Sequence, residues 1–129
     1  MRVLLDTHAL LWWLAGDAAL PPLARELIAD SSNEVYVSAA SAWEVATKHR
    51  LGKLPGAGPL AVDFAREIEE QGFLPLPISL QHAQDAGAHP IAHRDPFDRM
   101  LLVQALAEKM ALVSNETAFD KTGVTRVWE

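Results

Sequence analysis

Short apolar runs alternate along this chain with longer stretches whose apolar residues recur every three or four positions. Val3-Leu4-Leu5 is too brief for a helix and predicts a strand buried on both faces, with Asp6-Thr7-His8 placed where it ends. Ala9 to Ala15, carrying Trp12 and Trp13, predicts a short buried helix stopped at Gly16-Asp17. Pro22 to Ala29 predicts a second helix, because proline suits a helix start and Leu23, Leu27 and Ile28 share a face. Ser31-Ser32-Asn33 is a turn, and Glu34 to Val37 a second strand ending at Ser38. A helix from about Ser38 to Arg50 leaves through Leu51-Gly52, and Pro55 to Pro59 is a loop.

Leu60 to Gln71 predicts one amphipathic helix, with Leu60, Phe64 and Ile68 on its apolar stripe and Gly72 ending it. Phe73 to Ile78 is a short strand whose prolines place it at an edge or in an irregular segment. Ser79 to Gly87 is a helix capped by Ser79, followed by a loop from His89 to Arg94 and a strong helix from Pro96 to Lys109. Met110 to Val113 and Val124 to Trp128 complete the strands. Strands alternating with helices imply parallel pairing and an α/β sandwich.

Length and composition narrow the class. At 129 residues, half of them hydrophobic, the chain is expected to be one globular domain spanning 1–129. Cysteine is absent, so there is no disulfide framework and no thiolate metal site, which fits a reducing cytoplasm. The apolar stretch from Ala9 to Ala15 is far short of the roughly 20 residues needed to cross a bilayer, and the N-terminal run does not read as a signal peptide. A net charge of −6 argues against a broad nucleic-acid-binding face. It leaves room for a nucleic-acid enzyme whose acids hold cations, since a bound cation reverses the local charge.

Four acids fall at related places. Asp6 follows the first strand, Glu44 lies near the start of the helix after the second, Asp98 sits in the first turn of the Pro96 helix, and Glu116 follows the fourth strand. In a parallel sheet these places share one edge, where ligands bind. Crowded carboxylates repel unless a cation holds them, and all-oxygen ligands suit Mg²⁺ or Mn²⁺. Each acid also has a plainer job: Asp6 can cap the next helix, Ser41 to Glu44 matches a capping box, Glu44 can pair with Lys48, Asp98 suits the dipole in a helix's first turn, and Glu116 can open a turn. Asp95, before Pro96, is read as a helix cap.

Among five histidines, His8 is expected to be packed and hydrogen-bonded, although it adjoins Asp6. His93 precedes Arg94 in a loop, where it could touch a phosphate; His49, His82 and His89 have no partner at metal-ligand spacing. The tryptophans are read as core or interface. Lys48-His49-Arg50 with Lys53, and Arg94 with Arg99, flank Glu44 and Asp98, and could form a cationic rim that steers a polyanion.

Leu4-Leu5-Asp6-Thr7-His8 with Leu11-Trp12-Trp13, Val37 to Glu44 with Lys48 and Leu51-Gly52-Lys53-Leu54, His93-Arg94-Asp95-Pro96-Phe97-Asp98-Arg99-Met100-Leu101 with Gln104-Ala105, and Leu112-Val113-Ser114 together resemble PIN-domain toxins of the VapC type. The likeness runs through nearly the whole chain in the expected order. It implies a PIN-like α/β/α sandwich around a mostly parallel sheet of four to five strands. It also implies a Mg²⁺- or Mn²⁺-dependent endoribonuclease, the toxin of a type II toxin–antitoxin pair, which usually forms a homodimer and is bound by a VapB-like antitoxin. The family's acids fall on Asp6, Glu44 and Asp98; at the fourth place Ser114-Asn115-Glu116 puts a longer acid where an Asp is common. Thr7 and Ser114 match hydroxyls that usually line the site.

The expected chemistry is hydrolysis of an RNA phosphodiester by a metal-activated water, with Asp6 and Asp98 as principal ligands and Glu44 and Glu116 completing the set. Arg94 and Arg99, with Thr7 and Ser114, are the expected substrate contacts. A DNA nuclease of the same architecture is the nearest rival. An aspartyl phosphatase fits less well, because His8 stands where its second acid would be, and a receiver module would want paired acids near the start. A binding protein whose acids only cap helices is the non-enzymatic alternative.

Overall fold

The computed structural model describes residues 1–129 and places five parallel strands at the centre of the molecule. They are β1 (Arg2–Leu5), β2 (Glu34–Ser38), β3 (Leu74–Leu76), β4 (Ala111–Val113) and β5 (Arg126–Val127), in the order β3-β2-β1-β4-β5. Strand β1 pairs Leu4 with Tyr36 on one side and with Leu112 on the other. Its side chains alternate between two cores. Val3 and Leu5 join Leu10, Ile28, Val37, Leu60 and Val113 on one face. Leu4 joins Leu101, Leu102, Leu112 and Phe119 on the other. Helices cover both faces, as a buried parallel sheet requires.

Seven helices connect the strands: α1 (Thr7–Ala15), α2 (Pro22–Ala29), α3 (Ala39–Arg50), α4 (Gly58–Val62), α5 (Phe64–Glu70), α6 (Leu80–Ala88) and α7 (Pro96–Glu108). Gly16 ends α1 at φ +64°, in the left-handed region that a residue without Cβ enters freely. The expected helix over Leu60–Gln71 is instead two pieces. Asp63 breaks it at φ −143°, ψ 76°, and its carboxylate accepts from the Arg66 N–H to cap α5. The apolar stripe survives the break, since Leu60 and Ile68 both reach the core. Strand β3 lies at the sheet edge, where Pro75 removes no hydrogen bond that the sheet needs. No helix is long and apolar enough to cross a membrane.

Gln104 ties α7 to the neighbouring elements. It is fully buried; its Oε1 accepts from the Ser38 hydroxyl at 2.5 Å, and its Nε2 donates to the Pro77 carbonyl at 3.2 Å. Gln104→Leu leaves the buried Ser38 hydroxyl without its acceptor and is expected to cost about 2 kcal/mol by urea denaturation.

Candidate functional site

The strand order reverses at β1, with β2 leaving to one side and β4 to the other. A crevice forms outside the carboxyl ends of strands at such a point. Asp6 stands there. Its backbone N–H donates to the Val113 carbonyl at 3.0 Å, extending the β1–β4 ladder by one residue, while its Oδ1 accepts from the Ala9 N–H at 2.7 Å and caps α1. The capping role is therefore real. Burial pushes the Asp6 carboxyl up to about 6, against the pull of the Ala9 N–H and the Ser114 hydroxyl, and the charge of Asp98 adds to the rise.

Glu44 lies on α3 and is buried. The helix begins where expected, at Ser38, which caps it by accepting from the Ala40 N–H at 2.9 Å, so Glu44 lies beyond the first turn and the alternative capping box from Ser41 does not form. One oxygen of Glu44, Oε2, pairs with Lys48; the other, Oε1, is buried with no hydrogen-bond partner. Burial works against the Lys48 charge, but Glu44, Asp95 and Asp98 outweigh it and hold the ammonium above its ordinary value. Lys48 thus belongs to the acidic cluster instead of standing free on a cationic rim.

Asp98 is in the first turn of α7, which Asp95 caps by accepting from the Phe97 and Asp98 N–H groups. Burial raises the Asp98 carboxyl above its ordinary range, and the charges of Asp95 and Glu44 add to this against a hydrogen bond with His93. Glu116 follows β4; its Oε1 accepts from the Ala118 N–H and caps a 3₁₀ turn over Thr117–Lys121. His93, Asp98 and Glu116 offer ligand atoms within 4.8 Å of one another. Asp98 and Glu116 thus lie together at the start of α7 and the end of β4, and the charges of Asp6 on β1's end and Glu44 on α3 couple to Asp98. The participation of His93 was not legible beyond its place beside Arg94.

The other expected contacts need revision. Thr7 is buried and shares a hydrogen bond with the Ser41 hydroxyl at 2.9 Å, tying α1 to α3. Ser114 is fully buried and accepts from the Glu116 N–H. Neither hydroxyl is open to a substrate; both position the acids. Arg99 is corrected in the same way. Its five N–H groups go to the carbonyls of Ala86, Gly87, His89, Ile91 and His93, so its guanidinium shapes a loop and has no donor left for phosphate. Arg94 is exposed. His8, expected to be packed, is exposed with its ring 5.6 Å from that of Trp12.

An all-oxygen set of this kind fits a hard divalent cation. The unpartnered Glu44 Oε1 is the strongest sign, since an orphaned buried carboxylate oxygen is costly unless a cation meets it.

Comparison with known proteins agrees with this architecture. The PIN domain family model matches residues 3–124. Ribonuclease VapC16 of Mycobacterium tuberculosis is 36% identical over 78 residues, covering 54% of this chain and 55% of that protein. The match thus spans about half the length of this curated relative. Two solved structures share the fold at 17% identity. VapBC2 from Rickettsia felis, bound to a DNA fragment from its promoter, has a TM-score of 0.68 with both chains covered in full. VapC20 of Mycobacterium tuberculosis, a toxin that cleaves the sarcin–ricin loop, has a TM-score of 0.69, covering 98% of this chain and 99% of the other.

Proposed function

The chain belongs to the PIN-domain family, and on that premise we propose that it is a divalent-metal-dependent endoribonuclease, the toxin of a VapBC-type pair. What supports this reading is the buried Glu44 with Oε1 unpaired, whose charge couples to Asp98, together with the closeness of Asp98 to Glu116 and the coupling of Asp6 to Asp98. Asp6 and Asp98 are the principal ligands of a Mg²⁺ or Mn²⁺ ion, and Glu44 and Glu116 complete the set. What such an ion supplies is acidification of a water molecule and neutralisation of charge on the phosphate.

The chain's own groups do the rest. The β1–β4 hydrogen bond fixes Asp6 on the sheet, and the Thr7–Ser41 bond holds α1 against α3 so that Glu44 faces its partners. Lys48 balances one carboxylate of the acidic cluster. Arg94, exposed beside His93, is the proposed phosphate contact. No side chain needs to act as a covalent nucleophile.

The relatives named above support RNA as substrate and a VapB-like antitoxin as partner; a cytoplasmic location is part of the same proposal and fits the absence of cysteine. Trp43, largely exposed and edge-on to Phe97 at 5.0 Å, offers apolar surface for the proposed homodimer.

The test compares single-stranded RNA and DNA of matched sequence with Mg²⁺, Mn²⁺ or EDTA. Cleavage within the RNA in either metal, none in EDTA, and a loss of about a hundredfold or more in Asp98→Asn are expected. DNA cut in preference to RNA would replace this reading by that of a DNA nuclease. No cleavage by folded protein across a broad set of RNAs would sink it.

A further inference from the structure

We propose that His93 is a nitrogen ligand of a divalent cation that it shares with Asp98 and Glu116, and that this ligand makes the site prefer Mn²⁺ to Mg²⁺. The inference rests on the reading that these carboxylates hold a cation, and goes beyond it by adding an imidazole to an oxygen set.

The geometry is that of neighbouring ligands. His93 Nε2 lies 2.9 Å from Asp98 Oδ2. In an octahedral shell with metal–ligand distances of about 2.1 Å, adjacent ligand atoms stand about 3.0 Å apart. The same spacing that now serves a hydrogen bond therefore suits two ligands of one ion, and Glu116 falls within the same 4.8 Å group. A second observation points to a cation: Glu44 on α3, almost wholly buried, pairs only Oε2 with Lys48 and keeps Oε1 unpartnered, and its charge is felt at Asp98.

His93 is also held in place. Its ring stands edge-on to that of Phe119, with centroids 5.7 Å apart and planes at 69°. Phe119 is fixed in the core, and the 3₁₀ turn that carries it is the one Glu116 caps. From the other side the Arg99 guanidinium donates to the His93 carbonyl at 2.9 Å. Ring and backbone are thus held beside Asp98, and a modest turn of the ring with loss of any proton on Nε2 would exchange the hydrogen bond for a shared ion.

Imidazole nitrogen suits transition ions, whereas Mg²⁺ favours oxygen and keeps much of its water. Removing the imidazole should therefore weaken Mn²⁺ more than Mg²⁺.

The experiment is pulsed electron paramagnetic resonance on the full chain with one equivalent of Mn²⁺, together with calorimetric titrations of Mn²⁺ and Mg²⁺. Nitrogen modulation of the Mn²⁺ signal is expected in the wild type and in His8→Ala, and its loss in His93→Ala. His93→Ala should weaken Mn²⁺ binding about tenfold to a hundredfold, with a smaller change for Mg²⁺. Mn²⁺ bound by wild type without nitrogen modulation overturns the assignment while the carboxylate site stands, and that spectrum needs no variant to fold. Modulation that persists in folded His93→Ala also overturns it, and equal weakening of both ions overturns the metal preference. If folded wild type binds no Mn²⁺ at all, the metal-dependent reading itself falls.

Discussion

Asp6→Asn is expected to abolish RNA cleavage, by about a thousandfold, and yet to stabilise the metal-free protein at neutral pH. The Asp6 carboxyl titrates near 6 when folded, against 3.8 as its ordinary value. A raised carboxyl pKa means that the folded state prefers the protonated form. Its stabilising contribution is complete below about pH 3.8 and is lost as the pH climbs to about 6. Above that the fold carries a buried negative charge, and Asp98, shifted in the same direction, adds another.

Asparagine removes the charge while its side-chain oxygen still accepts from the Ala9 N–H, so the cap on α1 survives. A shift of this size sets a ceiling of about 3 kcal/mol on the gain. Melting curves in EDTA from pH 4 to 8 should show the variant's advantage emerging between pH 4 and 6. Mn²⁺ should then raise the wild-type Tm and leave the variant's nearly unchanged. A variant less stable than wild type at pH 7.5 in EDTA would contradict this account of Asp6.

The second large effect is at Arg99. Arg99→Ala leaves five backbone carbonyls without the guanidinium that gathers them, and should cost about 3 kcal/mol in urea denaturation. Arg99→Lys should recover less than half, because an ammonium cannot reproduce a planar fork of five donors. Amide hydrogen exchange in both variants should speed up from Ala88 to His93, and not in β1 or β2. A lysine variant as stable as wild type would mean that the fork geometry matters little.

Much of this arrangement could be read in advance, for identifiable reasons. The strands at Val3–Leu5 and Ala111–Val113 are short apolar runs between polar breaks, and such runs have few other places to go. The start of α7 is written locally in Asp95-Pro96, so Asp98 could be placed before any contact was known. The split at Asp63 is a different matter. Leu60, Phe64 and Ile68 continue one stripe across it, and only the backbone turn with its Asp63–Arg66 bond betrays the break. The role of Thr7 depends on Ser41, 34 residues away, and those of Ser114, Arg99 and His93 on irregular loop backbone nearer by; local periodicity encodes neither. Arg99 shows this most clearly: its charge and its place beside Asp98 suggest a substrate contact, whereas the carbonyls of a folded loop claim every donor.

Strand β1 sits between β2 and β4, and Asp6 is hydrogen-bonded to Val113. This has a consequence for the chain while it is being made. Asp6 precedes Asp98 by 92 residues and Glu116 by 110, so it leaves the ribosome well before them. At roughly 5–20 residues per second that interval lasts several seconds. During it the acids of the two halves cannot meet, so the site at the end of β1 is assembled only late in synthesis.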